Sequence, residues 1–270
     1  MARHRFTIMG CGASPGVPRI NGDWGACDPR EPKNLRTRCS ALIERFGDGR
    51  EPTRVVIDTG PDLRAQLLAA NVTSIDGVVY THSHADHVHG IDDLRAFWMN
   101  AQRRVPVYTD DATQERLDQG FGYCFATPPG SAYPPFLDRH RLTPGVPLTI
   151  DGPGGPVSLL PYRQTHGDIE SLGFRLGGLA YSCDISDVPE DSLPFLADLD
   201  IWIVDALRPR PHPSHLSLDQ ALDWIDRIKP RRAILTHMTT DLDYNALHRD
   251  LPAHIEPAYD GMTFELDIDR

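Results

Sequence analysis

A dense run of histidine and aspartate stands at residues 80–90, Tyr-Thr-His-Ser-His-Ala-Asp-His-Val-His-Gly. Within it, His82, His84, Asp86 and His87 form the pattern His-x-His-x-Asp-His. Imidazole and carboxylate groups are the ligands that suit Zn²⁺ and its neighbours Mn²⁺ and Fe²⁺. One tetrahedral ion would not take all four of these ligands from a single loop, so the run predicts a centre of two metal ions. The alternative is a solvated, His-rich turn, but with 12 His in 270 residues chance is a poor explanation of the spacing.

Further candidate ligands stand where strand-like runs end, as the cluster itself does after the apolar residues 78–80. They are His166 after residues 157–162, Asp184 after residues 179–183, and His237 after residues 232–236. Each residue alone would more often be a satisfied structural group. Because strands of one sheet end at a common edge, however, these side chains can converge on the cluster and complete its ligand set.

The elements that must position these residues fall into two groups of strands, each followed by helices. Strand-like runs occupy residues 5–11, 39–46, 54–58, 78–80 and 105–108, and later 148–150, 157–162, 173–176, 179–183, 201–205 and 232–236. Helical spacing occurs near residues 63–71, 91–101, 190–197, 218–225 and 244–251. This order predicts two sheets packed face to face with helices outside. No internal repeat or linker interrupts it, so we expect one domain over residues 1–270.

Two stretches fall outside this regular pattern. Residues 12–38 form a long irregular segment, which in a compact domain is usually functional or disordered. Residues 120–140 are rich in aromatic residues and proline, and we predict a packed insertion there. A lid, or the contact surface of a homodimer, is the alternative for the second stretch.

The amino-acid composition limits the binding partners and the cellular compartment that we expect for this chain. The formal net charge is −11, which disfavours stable binding to nucleic acid or to an anionic membrane through a broad basic face. No apolar run approaches the ~20 residues that a membrane span needs. The five Cys are scattered, lack a Cys-x-x-Cys pair, and follow no secretory signal, so free thiols in the cytoplasm are expected. Cys183 should face the core, because side chains alternate along a strand and Asp184 is needed on the other side.

In these residues the chain resembles the metallo-β-lactamase-fold hydrolases. The run His82–His87, followed by His166, Asp184 and His237, matches that superfamily in order and context over essentially the whole length. Residues 10–18, 38–43 and 260–262 resemble its PhnP-like phosphoribosyl 1,2-cyclic phosphate phosphodiesterase branch, with ribonuclease Z more distant. The resemblance implies an α/β fold, a four-layer αββα sandwich, which agrees with the grouping of strands and helices.

The resemblance also implies how the ligands divide between two ions, Zn²⁺ or Mn²⁺. One ion would take His82, His84 and His166, the other would take Asp86, His87 and His237, and Asp184 would bridge both. Asp58, in Ile-Asp-Thr-Gly, matches a position that orients a ligand histidine.

The reaction implied is attack of a metal-bridging hydroxide on a small cyclic phosphate or nucleotide-like phosphodiester. His215, which stands just before a helix, is the expected general acid for the leaving oxygen. The catalytic residues would then be His215, Asp184 and Asp86. The alternative for His215 is a histidine near a helix N-terminus with no role in the reaction.

One departure from the branch concerns a separate structural zinc, which the branch builds from cysteines in the loop after the first strand. Here residues 19–38 contain only Cys27, so we predict no structural zinc. Other functions stay open: a nuclease like ribonuclease Z, a thioester or lactone hydrolase on the same scaffold, or a metal-binding scaffold without turnover. Against the nuclease, the chain is acidic and contains only two lysines, Lys33 and Lys229.

Overall fold

The structure is a computed structural model that describes residues 3–49 and 51–267. Within these residues two seven-stranded sheets form the centre of the molecule. The first sheet contains β1 Arg3–Gly10, β2 Ser40–Phe46, β3 Thr53–Ile57, β4 Gly77–Val79, β5 Val105–Thr109, β6 Leu137–Arg141 and β14 Met262–Asp267. The second contains β7 Leu148–Ile150, β8 Val157–His166, β9 Ile169–Leu176, β10 Leu179–Ser182, β11 Ile201–Asp205, β12 Arg232–Thr236 and β13 Ile255–Pro257.

The order of strands explains why one edge of each sheet collects strand ends. The first sheet runs β14-β1-β2-β3-β4-β5-β6 and the second runs β13-β12-β11-β10-β9-β8-β7. Strands β3 to β6 are parallel to one another, as are strands β10 to β13. The carboxyl ends of each parallel set therefore open on a common edge, which is where α/β proteins place their ligands.

Helices cover the outer faces of both sheets. They are α1 Leu63–Ala69, α2 Ala85–Val88, α3 Arg95–Ala101, α4 Asp111–Phe125, α5 Leu218–Ile228 and α6 Tyr244–Asp250, with short 3₁₀ helices at Pro32–Asn34, Ile91–Leu94 and Glu190–Leu196. Helix α5 begins with a capping box, in which Ser217 and Gln220 each satisfy the other's backbone N–H. Among the helices of the described residues, none combines the length and the apolar character that crossing a bilayer would require.

The main core lies between the two sheets. Phe6 and Ile43 of the first sheet share one buried cluster with Tyr181 and Trp202 of the second, and the rings of Phe6 and Tyr181 are 5.7 Å apart. A second buried cluster joins the outer face of the first sheet to helices α1 and α4, and it contains Val56, Leu63 and Leu117, for example. Each buried side chain of this size stabilises the fold by about 1.5–3 kcal/mol. The layers are helix, sheet, sheet and helix, which confirms the predicted sandwich.

Two predicted stretches differ in the structure. Helix α4 continues to Phe125, and β6 then adds a parallel edge strand beside β5, so residues 120–125 and 137–140 belong to regular elements and only residues 126–136 are irregular. The helix predicted at residues 190–197 is a 3₁₀ helix over Glu190–Leu196, because Pro194 inside it has no N–H to donate to an α-helical bond. Residues 12–38 are irregular as expected, apart from one 3₁₀ turn.

Candidate metal centre

The side chains singled out in the sequence meet at the edge where the parallel strands of both sheets end. They are His82, His84, Asp86 and His87 from the loop after β4 and from α2, His166 at the end of β8, Asp184 just after β10, and His237 just after β12. Their ligand atoms fall into two groups that share Asp184. Local sequence therefore places one residue of each strand end in a common cluster.

The first ligand group consists of His82, His84, His166 and Asp184. The His166 Nε2 atom lies 3.2 Å from His84 Nδ1, and it lies 3.7 Å from Asp184 Oδ2. The His82 Nε2 atom is also 3.7 Å from Asp184 Oδ2. Three ring nitrogens and one carboxylate oxygen thus surround a single point.

The second ligand group consists of Asp86, His87, His237 and Asp184. The Nε2 atoms of His87 and His237 each lie 3.2 Å from Asp184 Oδ1. Asp86 Oδ2 is 3.5 Å from His87 Nε2 and 4.0 Å from His237 Nε2. Because Oδ1 of Asp184 faces this group while Oδ2 faces the first, its carboxylate has the position of a bridge.

These spacings suit divalent metal ions. Ligand atoms about 2.1 Å from a tetrahedral ion lie roughly 3.4 Å from one another, and the contacts above range from 3.2 to 4.0 Å. Moreover, four of the facing atoms are buried and have no hydrogen-bond partner among the described residues: His82 Nε2, His87 Nε2, His237 Nε2 and Asp184 Oδ1. A buried polar atom left without a partner costs about 1–3 kcal/mol, and a cation in each group would satisfy these atoms.

The electrostatics of the cluster keep His82, His166 and Asp184 in their binding form. Burial lowers the pKa of His166 to about 4. Burial, together with the neighbouring His87, holds the pKa of His82 well below its ordinary value. Both rings are therefore neutral at pH 7 and keep a lone pair for a metal. Burial opposes charge on Asp184, but His237 and His87 hold its pKa well below the ordinary range, so it is a carboxylate. Against the effect of burial, the carboxylates of Asp184, Asp58 and Asp86 hold the pKa of His87 well above its ordinary value, so a metal would displace a proton from that ring.

Hydrogen bonds behind the cluster fix the far nitrogen of several rings. Asp58 Oδ2 lies 2.7 Å from His87 Nδ1, and Asp58 itself accepts from the backbone N–H and the hydroxyl of Thr81 at 2.8 and 2.7 Å. The Nδ1 atom of His166 lies 2.6 Å from the carbonyl oxygen of Ser214. Such partners hold a ring nitrogen toward a metal, and they place Asp58 where its predicted orienting role requires it.

The backbone at these strand ends is strained. Asp58, Asp184 and His237 have φ angles of 61°, 50° and 57°, in the left-handed region that favours glycine. A residue with a side chain there costs roughly 1–2 kcal/mol. Strain of this kind concentrates at functional sites, where the surrounding structure imposes it.

His215 lies against the cluster without belonging to either ligand group. Its ring stacks on that of His237, with centroids 4.6 Å apart and an interplanar angle of 12°, and it meets the ring of His166 edge-on at 4.7 Å. Its Nδ1 atom is 2.7 Å from Oδ2 of the fully buried Asp205. The same Oδ2 accepts from the backbone N–H of Ile185 at 3.1 Å, so the carboxylate is fixed on both sides.

Sequence reasoning did not single out Asp205 or Ser14. Asp205 ends an apolar strand just as Asp184 and His237 follow theirs, so the same signal was present for it. The hydroxyl of Ser14 donates to Asp86 Oδ2 at 2.7 Å. Its loop is held in place because the backbone N–H of Ala13 donates to the carbonyl of Met238, the residue after His237, at 3.2 Å.

Two arginines of the irregular segment 12–38 are engaged within the fold. The guanidinium of Arg36 is buried and donates to the carbonyl oxygens of Leu242 at 2.7 Å and Thr239 at 3.3 Å, so it is not free to bind phosphate. The Nε atom of Arg38 is 3.0 Å from Asp62 Oδ2. Cys183 is fully buried, as predicted.

Comparison with known proteins agrees with this geometry. Residues 53–238 match the family described as the beta-lactamase superfamily domain. The crystal structure of a diphosphatase from the PhnP family is 34% identical and covers 99% of both chains, with a TM-score of 0.88. The structure of human tRNase Z, short form, has the same fold at 17% identity and a TM-score of 0.64.

Two curated relatives are longer than this chain. An octanoyltransferase of Porphyromonas gingivalis is 32% identical over 267 residues, which cover 97% of this chain and 52% of that protein. A ribonuclease Z of Bradyrhizobium is 26% identical over 146 residues, which cover 53% of this chain and 45% of that protein. Where it matches these curated relatives, the chain spans about half their length. On the family match and the full-length likeness together, this chain belongs to the beta-lactamase superfamily, near its PhnP family.

Proposed function

We propose that the chain hydrolyses a small phosphodiester, either a cyclic phosphate or a nucleotide-like diester, with two divalent metal ions. The observation that carries the proposal is the double use of Asp184, whose Oδ2 faces the first ligand group and whose Oδ1 faces the second. Phosphorus as the reacting centre is supported by the likeness to the PhnP-family diphosphatase, which covers 99% of both chains.

The first ligand group would hold one ion and the second would hold the other, with Asp184 shared between them. Two ions held in this way would lower the pKa of a bound water and offset the negative charge of the phosphate. The donor set, imidazole with carboxylate, accepts Zn²⁺ and Mn²⁺ alike. We therefore expect either metal to support activity.

The protein's own contribution to the reaction is the proton that His215 delivers. Asp205 fixes its Nδ1 atom at 2.7 Å, so Nε2 points away from Asp205 and is free to carry a proton for the leaving oxygen. The side chain is 10% exposed, which leaves one edge accessible to substrate. General-acid help of this kind contributes about 10²–10⁴ in rate.

The rival reactions are less well supported by this chain. A ribonuclease Z-like activity requires binding of a polyanion, and the net charge of −11 opposes it. Acyl transfer through a covalent intermediate requires an accessible nucleophile, yet all five cysteines are buried. Burial also raises the pKa of Cys27, and Lys33 is hydrogen-bonded to the hydroxyl of Tyr244 at 2.9 Å. Thioester or lactone hydrolysis stays the alternative that shares the ligand set.

The test compares substrates on protein that has been stripped by a chelator and reloaded with Zn²⁺ or Mn²⁺. We expect hydrolysis of bis(p-nitrophenyl) phosphate, its loss on chelation, its recovery on reloading, and two metal equivalents per chain by elemental analysis. Thioester hydrolysis without phosphodiester hydrolysis would contradict the proposal.

A matched pair of variants tests the ligand assignment. His84 and His89 are both exposed histidines of the same run, but only His84 lies in a ligand group. His84→Ala should lower metal content and activity, whereas His89→Ala should leave both unchanged. Equal effects of the two substitutions would show that the run acts without the assigned ligand group.

A further inference from the structure

A cleft of about 630 Å³ opens beside the first ligand group. His82 and His84 line one end of it. One wall is the first part of α4, from Asp110 to Gln119, and the other is the start of β9, at Ile169 and Glu170. Its volume lies within the roughly 300–1,000 Å³ of small-molecule sites, so a group attached to a phosphate at the metal centre can extend into it.

The charged lining of the cleft is mainly acidic. Its charged side chains are three carboxylates, Asp110, Glu115 and Glu170, and a single guanidinium, Arg116. Arg116 already donates to the side-chain oxygen of Gln119 at 2.9 Å.

Each of the three carboxylates has acceptor capacity left. Asp110 uses Oδ1 to cap α4, accepting from the N–H of Thr113 at 2.8 Å, which leaves its second oxygen. Glu115 is exposed and has no hydrogen-bond or ion-pair partner within the described part of the chain. Glu170 has only a loose, largely exposed pairing with Arg163, at 3.6 Å.

We propose that this cleft binds an uncharged, hydroxyl-bearing group of the substrate, such as a sugar, and that its carboxylates select against a second phosphate. The inference rests on the proposed function, because the reacting phosphate must lie at the metal centre. Hydroxyl groups donate to carboxylates, and two adjacent hydroxyls match the two oxygens of one carboxylate. Ile169, which is 36% exposed at the rim, offers an apolar surface to the face of a ring.

The same charges determine which phosphodiesters would bind weakly in the cleft. A second phosphate in the cleft would face three carboxylates and one guanidinium, so the net interaction is repulsive. Removing one carboxylate about 7 Å from such a phosphate, in a wet cleft, changes its binding by roughly two- to fivefold. A polynucleotide carries a phosphate on every nucleotide, so the cleft also disfavours polymers.

The experiment measures binding of two probes that differ by one phosphate, adenosine 5′-monophosphate and adenosine 3′,5′-bisphosphate. Calorimetry on the metal-reconstituted protein gives both dissociation constants whether or not turnover occurs. We expect the monophosphate to bind at least several-fold more tightly. Glu115→Gln should strengthen binding of the bisphosphate by roughly two- to fivefold and should not strengthen binding of the monophosphate.

The control is Glu51→Gln, an exposed glutamate before β3, at the opposite end of that strand from Asp58. It should change neither dissociation constant. Equal or tighter binding of the bisphosphate by the wild-type protein would overturn the inference, as would a Glu115→Gln effect no larger than that of Glu51→Gln. Failure of the proposed function is visible separately, as absence of bis(p-nitrophenyl) phosphate hydrolysis by the same metal-loaded protein.

Discussion

Asp205→Asn isolates the charge of the carboxylate behind His215 while keeping its shape. The amide oxygen can still accept from the N–H of Ile185 and from His215 Nδ1, whose distances to Asp205 Oδ2 are 3.1 and 2.7 Å. Burial lowers the pKa of His215 and raises the pKa of Asp205, so the two groups compete for one proton. The substitution removes the carboxylate whose negative charge would stabilise the ring when the ring carries that proton. If His215 is the general acid, fewer molecules then carry the proton that the leaving oxygen needs.

The size of the effect follows from the kind of hydrogen bond. A hydrogen bond to a charged group contributes about 1.5–3 kcal/mol, and one between neutral groups contributes about 0.5–1.5 kcal/mol. The difference is about 1–1.5 kcal/mol. Each 1.36 kcal/mol is tenfold in rate, so kcat should fall about five- to tenfold where the proton is needed.

The assay compares two leaving groups on the same variant at saturating metal. A cyclic nucleotide expels an alkoxide and needs the proton, whereas bis(p-nitrophenyl) phosphate expels a phenolate that departs without one. We expect the five- to tenfold loss of kcat on the cyclic nucleotide and little loss on the aryl ester. Equal losses on both would refute the reasoning, since Asp205 would then act through His237, whose Nδ1 is 3.8 Å from Asp205 Oδ1.

Three further substitutions probe the centre. His215→Ala should keep both metal equivalents and lose about 10²–10⁴ in kcat on the cyclic nucleotide; an unchanged kcat would contradict its role as acid. Asp184→Ala should lose at least one metal equivalent by elemental analysis, because its two oxygens face different ligand groups, and full occupancy would argue against the bridge. Ser14→Ala should weaken one of the two metal sites about tenfold in chelator competition, because its hydroxyl donates to Asp86 Oδ2 at 2.7 Å. Ser83→Ala is the control, and identical affinities in both variants would exclude Ser14 from metal binding.

The sandwich and the positions of the ligand residues could be predicted because both rest on short-range patterns. Apolar runs with a polar residue at the end mark strand ends, and His166, Asp184 and His237 all have this context. Asp184 and His237 follow the parallel strands β10 and β12, whereas β8, which His166 ends, pairs antiparallel with β9 and so runs in the same direction as β10. Their convergence follows from sheet geometry alone. The structure places them with His82 and His87 in the two groups that the resemblance implied.

The contacts of Asp205 and Ser14 with the centre could not be predicted, because they depend on the path of irregular loops. Asp205 meets His215 across the loop between β11 and α5, whose path has no periodicity to read. Ser14 meets Asp86 over a separation of 72 residues. The sequence shows that Asp205 ends an apolar strand, but it does not show that His215 is its partner.

Helix α4 and strand β6 were not predicted for a different reason: their local sequences have weak helix and strand propensity. Gly120 and Gly122 lie inside α4, and each costs about 0.5–1 kcal/mol in a helix relative to alanine. Strand β6 has the sequence Leu-Asp-Arg-His-Arg, which lacks an apolar face because it is an edge strand. Pairing with β5 and packing against the sheet override these local preferences.

Because the backbone is left-handed at Asp58, Asp184 and His237, steric strain and the metal centre favour different residues at these positions. Glycine at any of these positions would relieve about 1 kcal/mol of steric strain, and it would also delete a group of the metal centre. At Asp58, glycine would also leave Thr81 and the Nδ1 atom of His87 without their carboxylate partner, so the relief of strain there is offset. These three positions therefore hold side chains of the candidate metal centre on backbone that would otherwise favour glycine.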